Sequence, residues 1–115
     1  MKEMEKMEDL EELDLARKKF LPMSETMLYM LASFTKPRHG YAVMLYVKEI
    51  TNGRIVLGAG TIYQTISKLE KGKLIECIEI IERKNMYQIT KQGRILLEDE
   101  QKRINEIARN LEVML

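Results

Sequence analysis

The chain has 115 residues, 45% of them apolar and 32% charged, with two prolines and six glycines. This composition suits one ordered, helix-rich domain and argues against a two-domain enzyme, a disordered chain or a fibrous one. With one cysteine, Cys77, one histidine, His39, and no apolar run of about 18 residues, we expect no internal disulfide, no metal, no cofactor and no membrane-spanning helix.

Residues 1–19 are predicted to form a charged helical arm. Apolar residues recur in it at a spacing of three: Met4, Met7, Leu10 and Leu13. Residues 1–14 carry a net charge of −5, which leaves +6 on residues 15–115. The charged start lacks the apolar core of a secretory signal, so a cytoplasmic protein is predicted. The basic body favours an anionic partner such as nucleic acid, although many ordinary surfaces carry as much positive charge.

Two helices are predicted after the arm. Pro22 is expected at the first position of the first of them, ahead of an apolar series within 27–34. The segment 36–40 ends this helix, because its proline disfavours a helical conformation at the residue before it. A second helix is predicted for 41–51, where apolar residues recur at helical spacing, and the Asn-Gly pair at 52–53 ends it.

A third helix is predicted from Thr61, as its N-cap, to about Lys71, after a short extended piece at 54–57. Ile62, Ile66 and Leu69 recur at i, i+4 and i+7, so they are expected to face the core. The opposite face is then polar and mildly basic, and it presents Thr61, Gln64, Thr65 and Lys68 to solvent.

A β-hairpin and a last helix complete the chain. Strands are predicted at 74–82 and 86–90 around a basic turn, Arg83-Lys84-Asn85, followed by a helix over 91–115. In a monomer that helix would expose an apolar row, so pairing with a second copy is expected. The predicted dimerisation residues are Ile104, Ile107, Ala108, Leu111, Met114 and Leu115, with Met7 and Leu10 of the arm packing on the partner's last helix.

These elements predict a mainly α fold with a small β-hairpin (α+β). Three helices followed by a basic-tipped hairpin have the outline of a winged helix-turn-helix, here with an N-terminal arm helix and a long C-terminal dimerisation helix. We divide the chain into the arm, 1–19, a DNA-binding domain, 20–92, and the dimerisation helix, 93–115.

The third helix carries side chains suited to reading DNA. A major groove about 12 Å wide admits one helix; Gln pairs with adenine, Thr contacts several base edges, and Lys meets guanine or phosphate. The predicted DNA-binding residues are Thr61, Tyr63, Gln64, Thr65, Lys68, Arg38, His39, Arg83 and Lys84. On periodicity alone the polar stripe is better explained as a solvated helix face. His39 could contact phosphate or cap its helix, and it is equally interpreted as a locally bonded structural residue.

Several ordered motifs together resemble the PadR family of transcriptional regulators over about residues 20–115. They are the segments 21–26 (LPMSET), 37–41 (PRHGY), 57–63 (LGAGTIY), 69–70 (LE) and 87–93 (YQITKQG). The resemblance implies a dimeric repressor whose third helix enters the major groove, whose wing touches the DNA backbone and whose C-terminal helix forms the dimer. It also implies that Tyr63, with Thr61 and Gln64, leads the DNA contacts, and that the chain belongs to the family's compact branch.

The predicted function is therefore sequence-specific regulation of transcription by a homodimer on double-stranded DNA. The operator is expected to be an inverted repeat, and a small apolar molecule or a stress signal is expected to release a repressor from it. The alternative is a winged-helix dimer that binds a protein partner or a small ligand without reading DNA. Lone His39 and Cys77 form no nucleophilic constellation, so no catalytic residues are assigned and an enzyme is not expected.

Overall fold

A computed structural model describes residues 2–115; Met1, which the predicted arm includes, lies outside the described residues. The described chain forms five helices and one antiparallel hairpin. These elements are α1 (Lys2–Phe20), α2 (Glu25–Ser33), α3 (Gly40–Ile50), α4 (Ala59–Lys71), β1 (Ile75–Ile81), β2 (Lys84–Ile89) and α5 (Lys91–Met114). The prediction of a mainly α fold with a small hairpin is confirmed.

One apolar core joins α2, α3, α4, the base of the hairpin and the first half of α5. Its fully buried apolar side chains are Met30, Leu31, Phe34, Val43, Val47, Ile62, Leu69, Leu74, Ile75 and Leu96. The last turn of α1 adds Ala16 and Phe20, so the arm is anchored in the same core at its C-terminal end. Each large apolar side chain that is fully buried contributes roughly 1.5–3 kcal/mol, so this cluster fixes which face of every helix points inward.

The observed helix starts correct two predictions. Ser24 caps α2, its hydroxyl accepting a hydrogen bond from the Met27 amide at 3.2 Å, so Pro22 lies before the helix and not at its first position. The N-cap of α4 is Gly58, whose carbonyl accepts from the Ile62 amide at 3.0 Å, and Thr61 is the third residue of the helix. A helix begins where the backbone hydrogen bonds begin, and a capping-type side chain two or three residues later does not move that point.

The hairpin turn is also shifted from its prediction. Glu82 and Arg83 form it with positive φ angles of 50° and 66°. That conformation suits a tight two-residue turn between twisted strands, so Lys84 and Asn85 belong to β2 and not to the turn. β1 carries a bulge at Ile78, where the register shifts between Cys77 and Glu79. The predicted extended piece at 54–57 forms no strand in the described chain.

A buried carboxylate, which the sequence analysis did not identify, interrupts the apolar seam of α5. Glu100 is only 1% exposed. It accepts hydrogen bonds from the Met23 amide at 3.0 Å and from Arg103 at 2.6 and 3.0 Å. The Arg103 guanidinium, aided by that amide and opposed by burial, holds the pKa of Glu100 below its usual range. This contact fastens the α1–α2 connection to α5.

We expect Glu100→Gln to lower the free energy of unfolding by about 1–3 kcal/mol at neutral pH, because the charge-assisted bonds to Arg103 are lost. A carboxylate whose pKa is lowered by folding contributes stability above its unfolded pKa of about 4.3, and this contribution is lost as the pH falls through the lower folded value. The difference in free energy of unfolding between wild type and Glu100→Gln should therefore become smaller as the pH falls from neutral towards 3. Urea unfolding at pH 7 and at pH 3 measures this difference, with the exposed Glu98→Gln as the control. An equal difference at the two pH values would contradict the assignment.

Candidate nucleic-acid interface

Close packing between α3 and α4 fixes the orientation of α4, the helix predicted to read DNA. A methyl group added at Gly40 would lie 3.1 Å from Ile62 Cγ2 and 3.1 Å from Tyr63 Cε1. The glycine therefore lets the start of α3 rest directly on the first turn of α4. Because Ile62 is then pressed into the core, the neighbouring Tyr63 ring is supported from one side and exposed on the other.

The two faces of α4 are divided as the periodicity predicts. Ile62, Ile66 and Leu69 are buried, whereas Tyr63 is 61% exposed. Four further predicted residues lie on the outer side; Thr65 is half-buried, and Thr61, Gln64 and Lys68 are exposed. The structure thus brings Tyr63, Gln64 and Lys68 of the predicted set together along one side of α4, whereas Thr61 and Thr65 lie on a different part of its outer surface.

An open groove of about 570 Å³ runs along this surface. We call it the α4 groove; its lining residues are Gly60, Tyr63, Gln64, Ser67, Lys68 and Lys71. Ser67 and Lys71 were not predicted. They follow Gln64 by three and seven residues, so the helical spacing that identified Gln64 could also have identified them.

A second cleft, of about 240 Å³, lies on the other side of Tyr63. It separates the start of α3 from the wing, which we define as β1, the turn at Glu82 and Arg83, and β2. We call it the wing cleft; its polar side chains are His39, Tyr41, Tyr63, Arg83, Lys84, Asn85 and Tyr87. The structure thus unites predicted residues from three separate parts of the chain, and it adds Tyr41, Asn85 and Tyr87, which the sequence analysis did not select.

The two clefts share an electrostatic character. Their linings contain no acidic residue, taken over the described residues 2–115. Four cations border them, Lys68, Lys71, Arg83 and Lys84, and no salt bridge within the described chain engages any of the four. Unpaired cations beside hydroxyl and amide donors form a surface that favours an anionic partner.

His39 is the N-cap of α3. Its Nδ1 accepts a hydrogen bond from the Ala42 amide at 3.3 Å. Of the two interpretations that the sequence left open, the structure therefore provides the cap, which uses one ring nitrogen. The second ring nitrogen, Nε2, is not used by the cap, and the His39 side chain lines the wing cleft.

Arg38, in contrast, has internal partners. Its guanidinium donates to the Ser33 carbonyl and lies 4.0 Å from the centre of the Tyr46 ring. Its backbone pairs with Tyr87 of β2 through hydrogen bonds of 2.9 and 3.1 Å. Arg38 thereby joins the end of α2 to the wing, and these contacts hold the wing beside the start of α3.

The predicted dimerisation row is exposed in the single chain. Residues 104–115 of the last helix are solvent-accessible along their whole length, including all six apolar residues of the row. Met7 and Leu10 of α1 are exposed as well. An apolar groove of about 540 Å³ separates α1 from the start of α5, with Leu10, Leu13 and Ile95 in its lining.

Across residues 2–115, no three His, Cys, Asp or Glu side chains lie close enough together to hold a metal ion. No helix of the described chain combines the length and apolar character needed to cross a bilayer.

Comparisons with known proteins agree with this geometry. The family model described as the transcriptional regulator PadR-like family matches residues 27–99. A solved transcriptional regulator from Clostridium thermocellum is 18% identical, with 77% of this chain and 91% of that chain covered and a TM-score of 0.68. A PadR-like transcriptional regulator from Bacillus cereus is 18% identical, with 77% and 89% covered and a TM-score of 0.66. At these identities the structures show the fold alone.

A curated relative is similar over a shorter region. A 37.1 kDa protein in transposon TN4556 of Streptomyces fradiae is 34% identical over 74 residues, which are 64% of this chain. The matched region is 21% of that protein, so this chain spans about a fifth of its length.

Proposed function

Because this chain belongs to the PadR-like family of transcriptional regulators, we propose that it binds a specific DNA operator as a homodimer and represses transcription there. Family membership makes it a transcriptional regulator and not an enzyme, in agreement with the sequence analysis. The observation that carries the proposal is the exposed polar face of α4, which is flanked by two clefts without acidic lining. The protein is proposed to act in the cytoplasm, where it meets DNA.

In this proposal α4 lies in the major groove. Thr61, Gln64 and Thr65 contact base edges, because their side chains donate and accept hydrogen bonds at short reach. Lys68 meets guanine or phosphate, and Tyr63 contacts the DNA at the boundary between the two clefts. Arg83, Lys84 and His39 meet the backbone from the wing and from α3, while Arg38 acts mainly by holding the wing in position.

The proposed dimer follows from the same physics. Burying the apolar row of α5 against a second copy removes it from water, and the arm's Met7 and Leu10 extend the contact. Two-fold symmetry then places two α4 helices about 34 Å apart on one face of the duplex, which requires an inverted-repeat operator. The roles of 1–19 as arm, 20–92 as DNA-binding domain and 93–115 as dimerisation helix are part of this proposal.

Release by a small apolar molecule or a stress signal completes the proposal. Such a signal would act by changing the separation of the two α4 helices, because α1 and α5 connect the two DNA-binding domains of the proposed dimer. The apolar groove between α1 and α5, at about 540 Å³, has the size of a small-molecule site.

The test is a fluorescence-anisotropy titration with the duplex upstream of the protein's own gene, at several salt concentrations. Wild-type protein is expected to bind that duplex more tightly than an unrelated one, with an affinity that falls steeply as salt rises. The Tyr63→Ala, Lys68→Ala double variant is expected to bind about 100-fold more weakly, because a stacking or groove contact and a cation are lost together.

Lys18→Ala provides the matched control, since it removes an exposed cation of α1 that lines neither cleft. Its DNA affinity should stay within about two-fold of wild type. Absence of binding at low salt, or equal binding by the double variant, would reject the DNA-reading role of α4.

A protein-binding winged helix is the second candidate, and one observation favours it. The wing exposes Ile78, Ile80 and Ile81 of β1, an apolar group that DNA phosphates do not explain. A protein partner held by these isoleucines would bind with little dependence on salt, whereas DNA binding depends on it steeply. The salt series in the titration therefore separates the two candidates.

A further inference from the structure

The wing cleft contains hydrogen-bond donors from three separate elements. Because His39 Nδ1 accepts from the Ala42 amide, the neutral imidazole must carry its proton on Nε2. The helix cap thus fixes His39 as a donor towards the cleft, so capping and ligand contact are compatible roles. Asn85 is also oriented, since its amide donates to the Tyr87 hydroxyl at 3.4 Å and keeps one N–H free.

Tyr63 forms the wall between the wing cleft and the α4 groove. A methyl group at Gly40 would lie 3.1 Å from Cε1 of the Tyr63 ring, so one side of the ring packs against the start of α3. Together with Tyr41 and Tyr87, Tyr63 supplies three hydroxyl groups to the cleft lining.

The charges of the cleft also point to an anion. Arg83 and Lys84 contribute two cations at the wing turn, and no acidic residue lines the cleft within the described chain. Three other grooves of the described chain each include a carboxylate: Asp9 and Glu12 in the first, Glu12 in the second and Glu98 in the third. The lack of acidic groups is therefore a property of the DNA-facing side and not of clefts in this protein generally.

We propose that the wing cleft binds a single phosphate group, held jointly by His39 Nε2 and Lys84, with the Tyr63 hydroxyl as a further donor. The proposal rests on the proposed function in one respect: during DNA binding this phosphate belongs to the DNA backbone. The helix-turn-helix and the wing then grip the same phosphate, which sets the position of α4 along the groove. Lys68, on the other side of Tyr63, meets a different part of the DNA.

A double-mutant cycle on DNA binding tests the shared phosphate. His39→Asn keeps an N-capping side chain but lacks the fixed Nε2 donor, and Lys84→Ala removes the cation. Each single variant is expected to weaken binding about 5- to 10-fold, the effect of one charge-assisted contact. The double variant should have about the same DNA affinity as the single variant that binds DNA more weakly, since both residues hold the same phosphate. The control pair, Lys84→Ala with Lys68→Ala, should instead show multiplied losses.

A titration with inorganic phosphate tests the cleft without DNA. The chain contains one histidine, so the His39 ring protons give a unique signal in a proton NMR spectrum. Millimolar phosphate is expected to shift that signal saturably in the wild type and not in Lys84→Ala, with sodium chloride at equal ionic strength as the control. The backbone fold is checked in each variant by circular dichroism.

The outcomes separate this proposal from the proposed function. Multiplied losses for His39→Asn with Lys84→Ala, or wild-type affinity of His39→Asn, would overturn the shared phosphate while DNA binding stands. A phosphate-dependent shift in a protein that binds no duplex would support the anion site and reject DNA as its source. The absence of any shift beyond the chloride control, together with multiplied losses, removes the site altogether.

Discussion

We expect Gly93→Ala to lower the free energy of unfolding by about 3 kcal/mol or more, a large part of the roughly 5–15 kcal/mol that stabilises a small domain. A methyl group at this position would lie 2.1 Å from the Leu74 carbonyl oxygen and 2.9 Å from Ile89 Cγ1. The nearer atom belongs to the backbone and already accepts a hydrogen bond from the Thr90 amide at 2.9 Å, so it cannot simply turn away. The start of α5 must therefore separate from the base of the wing.

Urea unfolding followed by circular dichroism measures this loss. Gly60→Ala is the matched control, because a methyl group there meets no heavy atom within 4 Å and lies in the first turn of α4. Alanine should change stability at that position by less than about 1 kcal/mol, in the stabilising direction. A Gly93→Ala protein as stable as the Gly60→Ala control would mean that α5 and the hairpin base are not packed as described.

The sequence predicted those features of the fold that depend on a repeated local pattern. In α4, three apolar residues at i, i+4 and i+7 leave one orientation for the helix, so its buried and exposed faces follow directly. Its start was predicted wrongly at Thr61, because threonine is a preferred cap, whereas the observed cap, Gly58, is set by the backbone that precedes the helix. The hairpin turn was misplaced for a similar reason: Glu82 and Arg83 adopt positive φ without the glycine or asparagine that usually signals it.

The parts of the candidate site that the sequence missed depend on contacts between distant segments. Tyr41 and Asn85 line the same cleft because the Arg38 backbone pairs with Tyr87, a contact between residues 49 positions apart. Nothing in the local pattern around either residue indicates this pairing. Glu100 was equally hidden, since a charge within an apolar series reads as an interruption until the Met23 amide and Arg103 are found beside it.

Leu111→Glu is expected to convert the proposed dimer into a monomer and to weaken operator binding about 100-fold or more. The substitution places a charge in the middle of the apolar row of α5, where the proposed interface would bury it without a partner. Each monomer would then bind its half-site alone, and the gain that comes from linking two binding domains would be lost. Analytical ultracentrifugation measures the mass, and anisotropy with the full operator and with one half-site measures the affinity.

Val113→Glu is the control that isolates the row. Val113 is 86% exposed near the same end of α5, yet it lies about 200° around the helix from Leu111. The two variants add the same charge near the same end of the helix, so they differ only in the face that carries it. Because Val113 lies outside the apolar row, its substitution should leave both the dimer and the DNA affinity unchanged. If Leu111→Glu remains a dimer with wild-type affinity, α5 does not carry the interface; if both variants dissociate, charge at the end of the helix and not the apolar row explains the effect. Pairing through this face is supported only if Leu111→Glu loses both the dimer and the DNA affinity while Val113→Glu keeps both.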